Sequence, residues 1–158
     1  MQSEHMPYVQ NDGGRQAAGF KGDTGDCVVR SVAIATGRPY QEVYDALSEG
    51  VKTQRLTKRS RAKSSARDGV RVQRKWFKDY MTGLGWEFVP TMTIGSGCQV
   101  HLVKGELPMG RLVVSVSKHY TAVLDGVVHD THNPQRRVHW PDGHISERCV
   151  YGYWQKRP

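Results

Sequence analysis

An α+β domain is predicted, with N-terminal helices packed on a C-terminal antiparallel β-sheet. Three observations predict it. Helically spaced apolar residues end at Gly85, and the last third alternates in strand fashion. Two Asp-Gly pairs, Asp125-Gly126 and Asp142-Gly143, fall between β-rich runs, where hairpin turns belong. The 158 residues suffice for one hydrophobic core. Helices first and antiparallel strands after define the class.

Residues 1–22 are polar and carry Gly13, Gly14, Gly19 and Gly22, which predicts a flexible arm ahead of a single domain over 23–158. The first helix starts at Asp26 or Cys27 and runs through Val28-Val29-Arg30-Ser31-Val32-Ala33-Ile34-Ala35, apolar on most of its surface and therefore buried. Gly37 stops it, and Pro39 suits the first turn of a second helix, Tyr40–Leu47, that ends near Gly50. A basic insertion at about 52–70 follows; Arg55–Arg67 has no apolar period and reads as an exposed loop. Val72, Trp76 and Tyr80, with Phe77, Met81 and Leu84, make the apolar face of a third helix closed by Gly83 and Gly85.

Strands come next. Trp86–Met92 carries Pro90, which confines it to an edge or bend. Arg111–Ser117 alternates, with Leu112, Val114 and Val116 on one face. His119–Leu124 and Val127–Thr131 flank Asp125-Gly126 as a hairpin; Arg137–Trp140 and His144–Tyr153 flank Asp142-Gly143 as another. Tyr151, Tyr153 and Trp154 close the core or line the C-terminal edge.

Charge is localised. The chain holds 23 Lys and Arg against 15 Asp and Glu, net +8. Lys52–Lys78 alone holds 11 cations and one carboxylate, Asp68, so the remainder carries a net −2. The patch formed by Lys58, Arg59, Arg61, Lys63 and Arg67 would attract a nucleic acid or an acidic partner, with salt-sensitive binding. It lacks interleaved aromatics for base stacking.

Other classes are excluded. No run of about 18 apolar residues exists to span a membrane, and Met1–Gln10 has no apolar segment of a signal peptide. Cys27, Cys98 and Cys149 are distant and odd in number, which argues against disulfides and for a reducing, cytoplasmic setting, a virion being the alternative location. Cys98 and Cys149 read as buried thiols. His129, His132, His139, His144 and Cys149 are dense, but their spacing matches no zinc pattern, so no metal or other cofactor is expected.

Chemistry concentrates in the near-neutral remainder. Cys27 follows Gly22-Asp23-Thr24-Gly25-Asp26, where a loop becomes a buried helix. A helix N-terminus stabilises a thiolate, the nucleophilic form of cysteine, and its N–H groups can receive an oxyanion. A two-residue turn at Asp125-Gly126 pairs Leu124 with Val127 and Val123 with Val128, so His119, Thr121, Val123, Val128, Asp130 and His132 share one face. His119 and Asp130 are then diagonal neighbours, about 7–8 Å apart at the backbone and within side-chain reach. A carboxylate fixes an imidazole's tautomer and stabilises its protonated form. Cys27, His119 and Asp130 are thus the candidate nucleophile, base and orienting acid.

These blocks resemble the papain-like cysteine peptidase superfamily. Gly25-Asp26-Cys27 with the helix to Ala35 resembles its nucleophile motif, Lys118-His119-Tyr120-Thr121-Ala122-Val123 its base motif, and Val128-His129-Asp130-Thr131 its acid motif. The His119-to-Asp130 stretch, with Arg111–Ser117 before it, is similar to bacteriocin-leader-processing peptidases, and Gly-Asp-Cys also resembles ovarian-tumour-type deubiquitinases. Short bacterial and phage proteins share all three blocks; the resemblance covers about 20–155, with only these short blocks specific. The resemblance implies a papain-like fold and a cysteine-dependent hydrolase acting on a peptide or protein substrate. One position departs: the family's oxyanion-hole Gln, six residues before the nucleophile, is Lys21 here. Thr24 and Asp23 are the nearby candidates for that role. Two other readings remain at this stage. One is an inactive papain-like fold that binds nucleic acid or an assembly partner; the other is an acyltransferase using the same triad.

Overall fold

The computed structural model describes residues 4–21, 25–53 and 70–158. Among the described residues, three helices pack on a mixed, mostly antiparallel sheet, the α+β class expected. The helices are α1 (Cys27–Thr36), α2 (Tyr40–Val51) and α3 (Lys75–Gly83). The strands are β1 (Tyr8–Gln10), β2 (Trp86–Pro90), β3 (Val100–His101), β4 (Arg111–Val116), β5 (His119–Leu124), β6 (Val127–Asp130), β7 (Arg137–His139), β8 (Ile145–Glu147) and β9 (Cys149–Lys156).

Helix α1 buries Val28 through Ala35 without interruption, which is why its sequence has no polar face. Gly37 ends it at φ +75°, its N–H bonding to the Ala33 carbonyl. Arg111 donates from Nε to the Ala35 carbonyl at 2.6 Å and from Nη2 to that of Ile34 at 3.0 Å, satisfying the helix end and tying it to β4. Helix α3 begins at Lys75, after the expected Val72, and buries Phe77 and Met81.

The main sheet runs β1-β6-β5-β4-β9-β2, with β3 also on β9. The Pro90 strand β2 lies at the edge of that order, as its proline requires. Both faces of the sheet are covered. Val113, Tyr120 and Trp154 pack with the helices, while Leu112, Val114, Val116, Val123 and Val128 pack on the other side with Met6, Leu102 and Val150. Strand β4 is therefore apolar on both faces rather than on the single face that its alternation suggests.

Four expectations need correction. Residues 4–21 are not a loose arm: β1 pairs in parallel with β6, Tyr8 opposite Val128, and Met6 is buried. Gln135 holds Met6 through both backbone groups, at 2.6 and 2.9 Å. The run expected as one strand over His144–Tyr153 is two. β8 pairs with β7 in a separate small sheet, and β9 turns away to become an inner strand bonded to β4 and β2. Cys98 and Cys149 are not buried thiols. They form a disulfide, Cα–Cα 5.9 Å, with Cys98 exposed and Cys149 half-buried. The pairing of β3 with β9 is what brings the Cys98 loop to Cys149. That bond also removes the cysteine argument for a reducing setting. Among the described residues, no helix is long and apolar enough to cross a membrane.

Candidate active site

The Asp125-Gly126 turn has both residues at positive φ, +48° and +77°, the two-residue form that matches strand twist. It sets the expected register: Leu124 opposite Val127, Val123 opposite Val128, Ala122 opposite His129. His119 begins β5 and Asp130 ends β6, and the diagonal contact forms: His119 Nε2 donates to Asp130 Oδ2 at 2.7 Å. His129 points elsewhere, accepting from the Asn11 amide at 3.1 Å.

Cys27 opens α1 and lines the same two clefts as His119. The thiol and the His119 ring interact electrostatically, and the backbone N–H of Tyr120 also favours the thiolate. Since Nε2 faces Asp130, Nδ1 is the nitrogen left for the sulfur. Burial pushes the Cys27 thiol up, but His119, the Tyr120 N–H and the charge of Arg30 outweigh it and leave it below its ordinary value. Burial lowers His119, yet Asp130 and Cys27 raise it further, to about 9. Burial raises Asp130, while His119 and the Thr131 N–H hold it below the usual carboxylate range. These directions favour the thiolate, the imidazolium and the carboxylate over their neutral forms.

A buried ionic frame surrounds the start of α1. Asp26 precedes Cys27 and makes no side-chain cap to α1. Its carboxylate instead pairs with Arg30, with Arg15 Nε at 3.1 Å, and with the Tyr40 hydroxyl, which donates to Oδ2. Arg30 Nη2 also stands 3.9 Å from Asp130 Oδ1. Because Asp26 does not cap, the first-turn N–H groups, which have no intrahelical acceptor, stay outside the helical ladder at Cys27. These are the donors that an oxyanion beside the sulfur would use. Lys118, next to the base, sits at φ +57°, a left-handed conformation that costs a side-chain-bearing residue about 1–2 kcal/mol.

Two clefts of about 370 Å³ each meet at the thiol, sharing Gly25, Cys27, Lys118 and His119. One is polar, lined by Asp12, Arg15, Arg30 and His132. The other is lined by Val70, Val72, Val116, Tyr120 and Tyr151. It continues through Val72, Tyr120 and Tyr151 into a third space of about 490 Å³ bordered by Phe88 and Trp154. No apolar specificity pocket is nameable from the sequence, because its walls come from the approach to α3, from β4 and β5, and from β9. The Arg15–Asp26–Arg30 frame was equally hidden; an arginine inside an otherwise apolar helix was its one signal.

The remaining candidates stand apart. Thr24 and Asp23 lie outside the described residues, as do Lys58, Arg59, Arg61, Lys63 and Arg67. Lys21 is exposed. Comparison of the chain with protein-family models, with curated proteins and with solved structures returns no match.

Proposed function

We propose that this protein is a papain-like, cysteine-dependent hydrolase that cleaves a peptide or isopeptide bond. The observation that carries the proposal is the position of His119, which is hydrogen-bonded to Asp130 at 2.7 Å and lines, with Cys27, both clefts at the start of α1. The three residues come from α1, β5 and β6, so only the assembled fold creates the set.

The chemistry follows from the geometry. The Cys27 thiolate attacks the substrate carbonyl carbon, and the developing oxyanion is received by N–H groups at the start of α1. His119 gives its Nδ1 proton to the departing amine, and the C–N bond breaks to leave a thioester. Water then attacks the thioester carbon while Nδ1 takes its proton, releasing the acid and restoring the thiolate. Asp130 holds the ring so that Nδ1 faces sulfur and stabilises its positive form. A chain lying across the thiol would place one side in the polar cleft and the other along the valine- and tyrosine-lined cleft.

The test is a mixed peptide library incubated with the protein and read for new N-termini by mass spectrometry. New termini should form with the native protein and vanish with Cys27→Ala. Their absence with both proteins, or their persistence in the variant, would overturn the proposal.

A further inference from the structure

We infer that His119, Asp130 and His132 form a site for a zinc-class divalent cation, overlapping the base and acid but leaving the thiol free. One ligand atom from each residue lies within 4.8 Å of the others. His119 Nε2 and Asp130 Oδ2 are 2.7 Å apart, and His132 Nδ1 is 3.9 Å from Asp130 Oδ1. The two imidazole centroids are 5.0 Å apart. The hairpin explains the gathering, because its register puts His119 and Asp130 together and His132 follows two residues beyond.

The donor set suits the ion. Two imidazoles and one carboxylate bind zinc at about 2.0–2.2 Å, which sets tetrahedral ligand atoms roughly 3.3 Å apart. His132 must therefore approach, and the 2.7 Å His119–Asp130 contact must open by about 0.6 Å. The His132 side chain is 59% exposed and has room to rotate inward, whereas Asp130 is buried and already aimed at His119. Thr131 donates its N–H to Asp130 Oδ1 at 2.7 Å, the outer support that ligating carboxylates use. The polar cleft, lined by Thr131 and His132, gives water access to a fourth position. Arg30 near Asp130 Oδ1 opposes a second cation and limits the affinity.

Occupancy would silence the hydrolase. A cation on Nε2 takes the place of the proton that His119 shares with Asp130. His119 could then release its Nδ1 proton only by becoming an imidazolate, so it becomes a poorer acid toward a leaving amine. Zinc is thus expected to be a reversible inhibitor.

The test is calorimetric titration of the full chain with zinc chloride near neutral pH, on a Cys27→Ala background so that no thiolate takes the ion. One equivalent should bind. His132→Ala on that background should weaken binding by at least the 10–100-fold that loss of an outer-shell partner costs, and His139→Ala should not. Cobalt(II) should give a visible ligand-field spectrum that His132→Ala abolishes. No binding by the Cys27→Ala chain, or binding indifferent to His132, would overturn the site. Zinc binding without peptide cleavage would overturn only the hydrolase proposal, and cleavage without zinc binding only this one.

Discussion

Arg30 joins α1 to β6: its Nη2 lies 3.9 Å from Asp130 Oδ1 while its Nη1 pairs with Asp26, the neighbour of Cys27. One buried guanidinium thus sets the spacing between α1 and β6, and so between the thiol and the carboxylate that the imidazole must bridge. Arg30 is placed to position these groups and touches no reacting atom.

Removing that cation strands a buried carboxylate. Arg30→Met is expected to cost about 3 kcal/mol, the low end for a broken buried pair, because Arg15 and Tyr40 remain on Asp26. Asp26→Asn combined with Arg30→Met should recover part of it. Urea unfolding measures both; a loss below about 1 kcal/mol for Arg30→Met would mean that Arg15 alone satisfies Asp26.

The N-terminal segment is expected to contribute to the core. Met6→Ala should destabilise the fold by about 2–3 kcal/mol, since Met6 is buried with Val123, Val128 and Val150. Thermal unfolding of the variant checks it, and an unchanged midpoint would restore the loose arm read from the sequence.

The Cys98–Cys149 bond spans a separation of 51 residues, for which the chain-entropy account gives about 4 kcal/mol. Non-reducing peptide mapping should recover the cross-linked pair. Cys98→Ser with Cys149→Ser should lower stability by about 2–4 kcal/mol and leave Cys27 reactivity unchanged. A fall in Cys27 reactivity would show that the bond shapes the site.

The pH dependence has a defined sign. With chelator present, Cys27 alkylation should persist below the ordinary thiol range and decline as pH falls through the depressed thiol value. Turnover should fall on the alkaline side near pH 9, where His119 loses its proton, and Asp130→Asn should move that limb down. The same histidine contributes stability fully below its unfolded value of about 6.5 and loses that contribution as pH rises through about 9. A single rise centred on the ordinary thiol value would contradict the pairing.

Local signals in the sequence carried much of the architecture. The start of α1 at Cys27, its stop at Gly37 and the Asp125-Gly126 hairpin are written in short-range chemistry, and the hairpin register alone brings His119 to Asp130. What escaped is non-local. Nothing near Tyr8 announces a parallel partner at Val128, and nothing near Cys98 announces Cys149. Strand β9 was hidden for a related reason: the Asp142-Gly143 turn assigns the following run to β7, although only Ile145–Glu147 pairs there. The walls of the apolar cleft could not be read because separate elements supply them.

The central claim is that His119 holds Cys27 as a thiolate. The most direct measurement is the rate at which a neutral alkylating reagent modifies Cys27 near pH 7, followed by mass spectrometry on the unsubstituted protein and on His119→Ala. In both, the Cys98–Cys149 bond is reduced beforehand so that these two thiols serve as internal references. Cys27 should react much faster than both references, and His119→Ala should erase that advantage. Equal rates at all three cysteines, or an advantage that survives His119→Ala, would contradict the account.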